Sequence, residues 1–353
     1  MHSFEKRLAK RYEDGSNRSL SLFNESIDFF SNDYLGLSRA TNNQPNVIYK
    51  GSTGSRLLSG NSIEAEQSEL FLSQYFNSES ALIFNSGYDA NIGFFSSIPQ
   101  KGDTVLYDSL IHASVRDGIR LSYADSYSFK HNNIEDLERK LKLAKGTVFV
   151  AVESLYSMDG DLAPLESISK ICEENNALLI VDEAHAGGVL GENGKGLSYG
   201  LNVFARLFTF GKAFGLHGAA VLSSYKVKDY LINFARSFIY TTALPIDSYV
   251  RIKQVLDNKD LNNLRVSLNQ NILFFRSLID KDLVSDKNSP IQIIACPGIE
   301  NAKKKCAKLQ ANGFAVKPIL SPTVAEGSER IRICIHAFNT KEEIERLVNY
   351  LRS

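Results

Sequence analysis

The chain has no excess charge of either sign, since 40 Lys and Arg stand against 40 Asp and Glu. Such a surface sets up no field that would gather nucleic acid or an anionic membrane. No stretch approaches the roughly 20 apolar residues of a spanning helix, and the amino terminus, MHSFEKRLAKRYEDG, lacks an apolar signal core. A soluble, cytoplasmic chain is expected. Cysteine is sparse: Cys172, Cys296, Cys306 and Cys334 lie far apart, in no C-x-x-C pair or Cys/His group. That excludes a disulfide framework or zinc site as the organising device and favours buried thiols. Internal repeats and low-complexity tracts are missing as well. These absences leave a small molecule as the expected partner.

With 353 residues, 43% hydrophobic and 23% charged, the chain can build a large core and more than one domain. Short apolar runs alternate with helical patterns: Ala81 to Phe84, Val105 to Tyr107, Thr147 to Val152, Ala177 to Val181, Arg206 to Phe210 and His217 to Ser223. Strand, helix and strand in that order build a parallel sheet. A helix is expected over Phe4 to Tyr12 and a short strand over Ser26 to Phe30. From Asp247 one long helical stretch is expected. Strands at Ile291 to Ala295, Ala315 to Pro318 and Arg330 to Ile335, with helices at Ala302 to Asn312 and Lys341 to Leu351, then form an α/β appendage.

The stretch from Ala177 to Gly218 is the most informative. Its first apolar run ends at Asp182, with His185 three residues on, and its second ends at Gly211-Lys212. Ligands of open α/β sheets sit beyond the carboxyl ends of the strands. Alone, an Asp there is a turn or capping residue, and a Lys in a glycine-flanked turn is a solvated charge. Together at consecutive strand ends they suit pyridoxal phosphate. A lysine amine forms the Schiff base, and a carboxylate keeps the pyridine nitrogen protonated so that the ring acts as an electron sink. His185 could bond the ring hydroxyl or the aspartate.

Other segments admit two readings each. Ser86, Gly87 and Tyr88 lead from a strand into a helix, where free N–H groups and the helix dipole suit a phosphate, yet a tight left-handed turn would use the same glycine. His112, at the start of a helix, either stacks on a planar ring or caps the helix. Asn32 and Asp33 sit where the chain must turn. GSTGSRLLSG, residues 51–60, is a flexible linker or, preferred here, an ordered loop near a ligand. His131 reads as structural. Arg330 and Arg332 share one face of a strand, solvated on an edge or able to clamp a carboxylate if turned inward.

In SNDYLGLS, GSTGSRLLSG, FNSGYDAN, ESLYSMDGD, VDEAHAGGVLGENGKG, TFGKAFGLHGAA, FIYTTALP and ERIRICIHAFNT the chain resembles the α-oxoamine synthase family of fold-type-I pyridoxal phosphate enzymes. The resemblance implies an α/β fold: a large domain with a mainly parallel seven-stranded sheet and a small C-terminal α/β domain. The divisions expected are 1–45, 46–246 and 247–353. It implies Lys212 as the Schiff-base lysine, Asp182 on the pyridine nitrogen, His185 at the ring hydroxyl and His112 stacked on the ring. Ser86, Gly87, Tyr88 and Thr209 would cradle the phosphate, with Thr242 supplied by the other subunit of a homodimer. Ser157 would lie beside cofactor and substrate, and Asn32 and Arg332 would hold the amino-acid carboxylate. The implied partners are an amino acid and an acyl thioester, on CoA or a carrier protein. In length and C-terminal motif the chain looks most like the family members that join L-alanine to a pimeloyl thioester, and that likeness implies those substrates, with glycine and acetyl or serine and palmitoyl groups as the sister chemistry. A non-catalytic cofactor-binding protein is the rival from another class. Arg18 is the one counterpart of a family arginine near the acyl entrance, and His217 replaces a small residue.

Overall fold

A computed structural model describes residues 9–16, 26–39, 51–279 and 283–352. Two compact units divide the chain. Of the described residues, the larger comprises those within 35–156 and 162–265, and the smaller those up to 34, within 157–161 and from 266 onward. Arg18 lies outside the described residues, as does most of the expected first helix.

The chain opens in the smaller unit with helix α1, described over residues 9–13, and strand β1 (Ile27–Asp28). The larger unit follows with α2 (Ile63–Tyr75), β2 (Ser80–Phe84), α3 (Gly87–Ser97), β3 (Thr104–Asp108), α4 (Ala113–Leu121), β4 (Asp125–Phe129) and α5 (Ile134–Leu141). It continues through β5 (Val148–Glu153), α6 (Leu165–Glu174), β6 (Leu178–Asp182), β7 (Ala205–Thr209) and β8 (Ala219–Ser223) to α7 (Tyr225–Phe234), α8 (Arg236–Ile239) and α9 (Ile246–Leu256). The seven-stranded sheet runs β2-β8-β7-β6-β5-β3-β4. All its pairings are parallel except those of β8, which is antiparallel to both β2 and β7.

Burial on both faces explains the apolar runs. Leu82 and Phe84 pack with Phe94, Phe95, Ile180 and Leu207 on one face. Their neighbours Ala81 and Ile83 pack with Phe76, Phe208 and Phe210 on the other, as period-two alternation requires. Strand β4 was not expected from the sequence: DSYSF has no apolar run, because four of its five residues are exposed on the sheet's edge. Nor is the stretch from Asp247 a single helix, because α9 stops at Leu256 and α10 (Leu261–Leu278) begins after a short break.

The smaller unit continues with β9 (Ile291–Ala295), α11 (Ile299–Ala311), β10 (Phe314–Ala315), β11 (Lys317–Ile319), β12 (Arg330–Cys334) and α12 (Lys341–Arg352). Its three-stranded sheet has the order β11-β12-β9, and β1 pairs in parallel with β10. Strand β12 is therefore central, so the edge-strand reading of Arg330 and Arg332 is corrected. Arg330 is half-buried and ion-paired with Asp159, while Arg332 is buried. The four cysteines are free and buried.

Candidate active site

In the larger unit the carboxyl ends of β5, β6 and β7 converge on a cavity of about 160 Å³. Its walls include Gly87, His112, Glu153, Asp182, Thr209 and Lys212. Asp182 is buried, and both its oxygens are engaged: Asn91 Nδ2 donates to Oδ2 at 2.8 Å, and Ala184 N donates to Oδ1 at 2.9 Å. The carboxylate is thus held by two donors that fix its plane. His185, also buried, brings Nε2 to 2.7 Å from Lys212 Nζ.

Lys212 sits in the connection between the antiparallel pair β7 and β8. Bonds from Phe210 N to Gly218 O and from Leu216 N to Phe210 O, both 2.8 Å, close that loop, and Gly215 N reaches Lys212 O at 2.9 Å. The GENGKG segment between β6 and β7 is organised by Glu183, which is fully buried and accepts from Ser154 Oγ, Leu197 N, Ser198 N and Ser198 Oγ. Burial raises its pKa, and these four donors oppose the rise. At Gly196, with φ +87°, an added Cβ would lie 2.6 Å from the Glu183 carboxyl carbon, so only glycine fits.

Helix α3 opens on Ser86, whose Oγ accepts from Asp89 N at 3.1 Å, a cap worth about 1 kcal/mol. Gly87 is the first helical residue and has no positive φ, so the left-handed-turn reading is corrected. A Cβ on it would come within 3.4 Å of Thr209 Cβ. The first N–H groups of a helix have no partner within it, and the helix dipole adds positive potential there, so this start, beside Thr209, is of the kind that binds anions. Tyr88 donates its hydroxyl to Asp117 at 2.6 Å. Thr242 is exposed, and its carbonyl accepts from Asn85 at 2.7 Å.

His112 caps α4 with its own ring, Nδ1 accepting from Ser114 N at 3.2 Å. Desolvation around the ring holds its pKa below the ordinary value, against the pull of Asp182, and Lys212 pushes the same way as desolvation. Its capping and cavity-lining roles coexist. Glu153 stands opposite Asp182 in the β5–β6 register. Burial, reinforced by Asp182, raises its pKa to about 8, and its Oε1 takes no hydrogen bond. Sequence reasoning did not place Glu153 or Asn91 in the site. Glu153 carries the same signal as Asp182, an acid at the end of an apolar run, whereas Asn91 becomes visible only once α3 is set against β6.

In the smaller unit, Arg332 is 9% exposed, with Nη2 donating to Asn32 Oδ1 at 2.8 Å and Nε to the Ser157 carbonyl at 2.7 Å. Tyr34 donates to the same Asn32 oxygen at 3.0 Å. Asn32, Ser157 and Arg332 thus form one cluster, with Tyr34 an addition the sequence did not signal. The 51–60 segment is ordered, Ala243 N bonding Gly54 O at 2.9 Å, but Arg56 binds Glu69 at 2.8 Å, so its role is internal. His131 bonds Asp108 at 2.9 Å and is structural. His217 is exposed. No group of metal-binding side chains occurs among the described residues.

The donor set fits pyridoxal phosphate: an anion pocket at a helix start, an acid for a ring nitrogen and an amine for an aldehyde, around one cavity. Residues 24–351 match the family of class I and II aminotransferases. The 8-amino-7-oxononanoate synthase of Emericella nidulans is 39% identical over 388 residues, covering 98% of this chain and 93% of that one. A solved 8-amino-7-oxononanoate synthase from Francisella tularensis superposes with a TM-score of 0.79 at 34% identity, covering 92% of this chain and 96% of that one. The serine palmitoyltransferase of S. paucimobilis, solved with a PLP–myriocin adduct, has a TM-score of 0.88 at 24% identity, over 99% and 96% of the two chains, a likeness of fold alone.

Proposed function

The chain belongs to the class I and II aminotransferase family, and within it we propose that it condenses L-alanine with a pimeloyl thioester, releasing carbon dioxide and giving 8-amino-7-oxononanoate for biotin synthesis. It is a pyridoxal phosphate-dependent C-acyltransferase of the α-oxoamine synthase kind. The reading is carried by the convergence of Lys212, His185 and a doubly bonded Asp182 at adjacent strand ends, in a chain aligned with synthases of that name over nearly its whole length.

Bound in this site, pyridoxal phosphate supplies an aldehyde for an amine and a protonated ring that takes up the electron pair left when a bond at the amino-acid Cα breaks. Each residue then has a definite task. Gly87, Tyr88 and Thr209 hold the phosphate, with Ser86 ordering the helix start. Asp182, fixed by Asn91 and Ala184, keeps the ring nitrogen protonated. Lys212 Nζ removes the Cα proton, and His185 at 2.7 Å orients that amine. His112 covers one ring face. Arg332, oriented by Asn32 and Ser157, binds the amino-acid carboxylate through its planar fork.

The reading includes a homodimer in which the exposed Thr242 of one subunit completes the phosphate cradle of the other. It places the enzyme in the cytoplasm, in keeping with the lack of any membrane-length apolar helix among the described residues. The deciding experiment is thiol release with alanine, glycine and serine, each against pimeloyl, acetyl and palmitoyl thioesters on CoA and on a carrier protein. Selective turnover of alanine with a pimeloyl thioester is the expected result. Preference for serine with palmitoyl, or glycine with acetyl thioester, would replace the substrate assignment by that of a sister enzyme.

A further inference from the structure

Three contacts in the larger unit run in series. Ser114 Oγ lies 2.7 Å from His112 Nδ1, Asn91 Nδ2 lies 3.0 Å from Ser114 Oγ, and the same Nδ2 lies 2.8 Å from Asp182 Oδ2. We propose that Asn91 and Ser114 are positioning residues, a relay that locks His112 as a neutral ring with its proton on Nε2 and holds Asp182 in one orientation. The inference rests on the reading of this cavity as the cofactor site.

Proton directions follow from the partners. Ser114 N donates to Nδ1 at 3.2 Å, so that nitrogen presents its lone pair. Ser114 Oγ accepts from Asn91, leaving its own hydrogen for Nδ1. With Nδ1 doubly solicited as an acceptor, the ring's one proton resides on Nε2. Asn91 is oriented with equal economy, because turning its amide round would set its carbonyl against the Asp182 carboxylate. Its Oδ1 is buried and bonds nothing, a cost that an apolar residue of similar size would avoid. The amide hydrogens are what that position supplies.

Backbone packing builds the relay. At Gly118, one turn beyond Ser114, a Cβ would lie 2.8 Å from Phe95 Cβ and 2.9 Å from the Asn91 carbonyl, so the missing side chain lets α4 close on α3 and brings Ser114 to Asn91. The charged groups that act on His112 are Asp182, Lys212 and, from its own helix, Asp117, while the buried Glu153 accepts its backbone N–H. Burial, with the Lys212 charge behind it, lowers the basicity of the ring and so favours the neutral form. Functionally, His112 offers the site an N–H donor and a flat uncharged face, and Asp182 cannot turn away from a ring nitrogen.

The test is ¹⁵N imidazole NMR of the purified enzyme, whose six histidines are separated by assigning His112 with His112→Gln. Wild type should show Nδ1 unprotonated and Nε2 protonated, with no second proton until pH falls below the ordinary histidine value. Ser114→Ala removes a donor to the neutral form, so the titration midpoint should rise by about one unit, a tenfold change in proton affinity. Ser114→Thr should restore wild-type behaviour. Asn91→Leu should weaken cofactor binding, read by absorbance titration, roughly tenfold, as expected for one lost charge-assisted hydrogen bond. Protonated Nδ1 in wild type, or an unchanged midpoint in Ser114→Ala, would overturn the proposal. Should Ser114→Ala not fold, the wild-type tautomer alone decides. Failure of thiol release from alanine and pimeloyl thioester is a separate result, bearing on the reaction and not on the tautomer.

Discussion

Replacing Glu153 by Gln should make the cofactor-free enzyme more stable near neutral pH. The residue is fully buried at the end of β5, opposite Asp182, and its Oε1 bonds nothing. Burial and the Asp182 charge raise its pKa from 4.5 to about 8, the Lys212 ammonium pulling the other way. Between those two values the folded protein holds a proton that the unfolded chain has released, so wild-type stability declines as pH rises through this window. Each pH unit costs about 1.4 kcal/mol, which accumulates to roughly 3 kcal/mol by neutral pH. Glutamine keeps the shape of the protonated acid and cannot ionise. The variant should match wild type below the unfolded value and exceed it by on the order of 3 kcal/mol near pH 7. Urea unfolding followed by circular dichroism over a pH series measures the difference, tryptophan fluorescence being ruled out by a chain with none. Parallel stability curves for the two proteins from pH 5 to 8 would refute the argument.

Lys212→Ala should abolish thiol release and the visible absorbance of the covalently held cofactor; an undiminished band would remove the assignment. Asp182→Asn should keep the cofactor but lower turnover on the order of 100-fold or more, because an amide does not hold a pyridinium proton. Arg332→Ala should lower kcat/KM for alanine roughly 10- to 100-fold, the loss expected when a charged donor is removed from a carboxylate, while cofactor affinity stays the same. Glu69→Ala should destabilise the fold by about 3–5 kcal/mol in chemical unfolding, because the buried carboxylate pairs Arg56 and Lys228 at 2.8 Å each and accepts from Ile83 N.

What the sequence revealed and what it hid follow from the range of the interactions concerned. Asp182 and Lys212 were legible because each ends an apolar run, and a strand buried on both faces writes its boundary into local composition. Strand β4 was not, since an exposed edge needs no apolar residue and DSYSF reads as a loop. The Asn32–Arg332 contact joins residues 300 positions apart, so only the family resemblance pointed to it. Asn91 reads as an ordinary helix residue until packing against α4 and β6 turns its amide inward. Gly87 carried two local explanations, and the backbone conformation removed the left-handed turn, since Gly87 opens α3 without a positive φ.

The short closed connection that carries Lys212 has a kinetic corollary. Its backbone is stapled across the neck by Phe210, Leu216 and Gly218, so no hinge takes part in the lysine's travel. The amine changes partners by rotating four carbon–carbon bonds of its own stem, motions of picoseconds to nanoseconds where a loop swing takes microseconds. If Lys212 is the base, its reach to a proton therefore need not wait for this connection to rearrange.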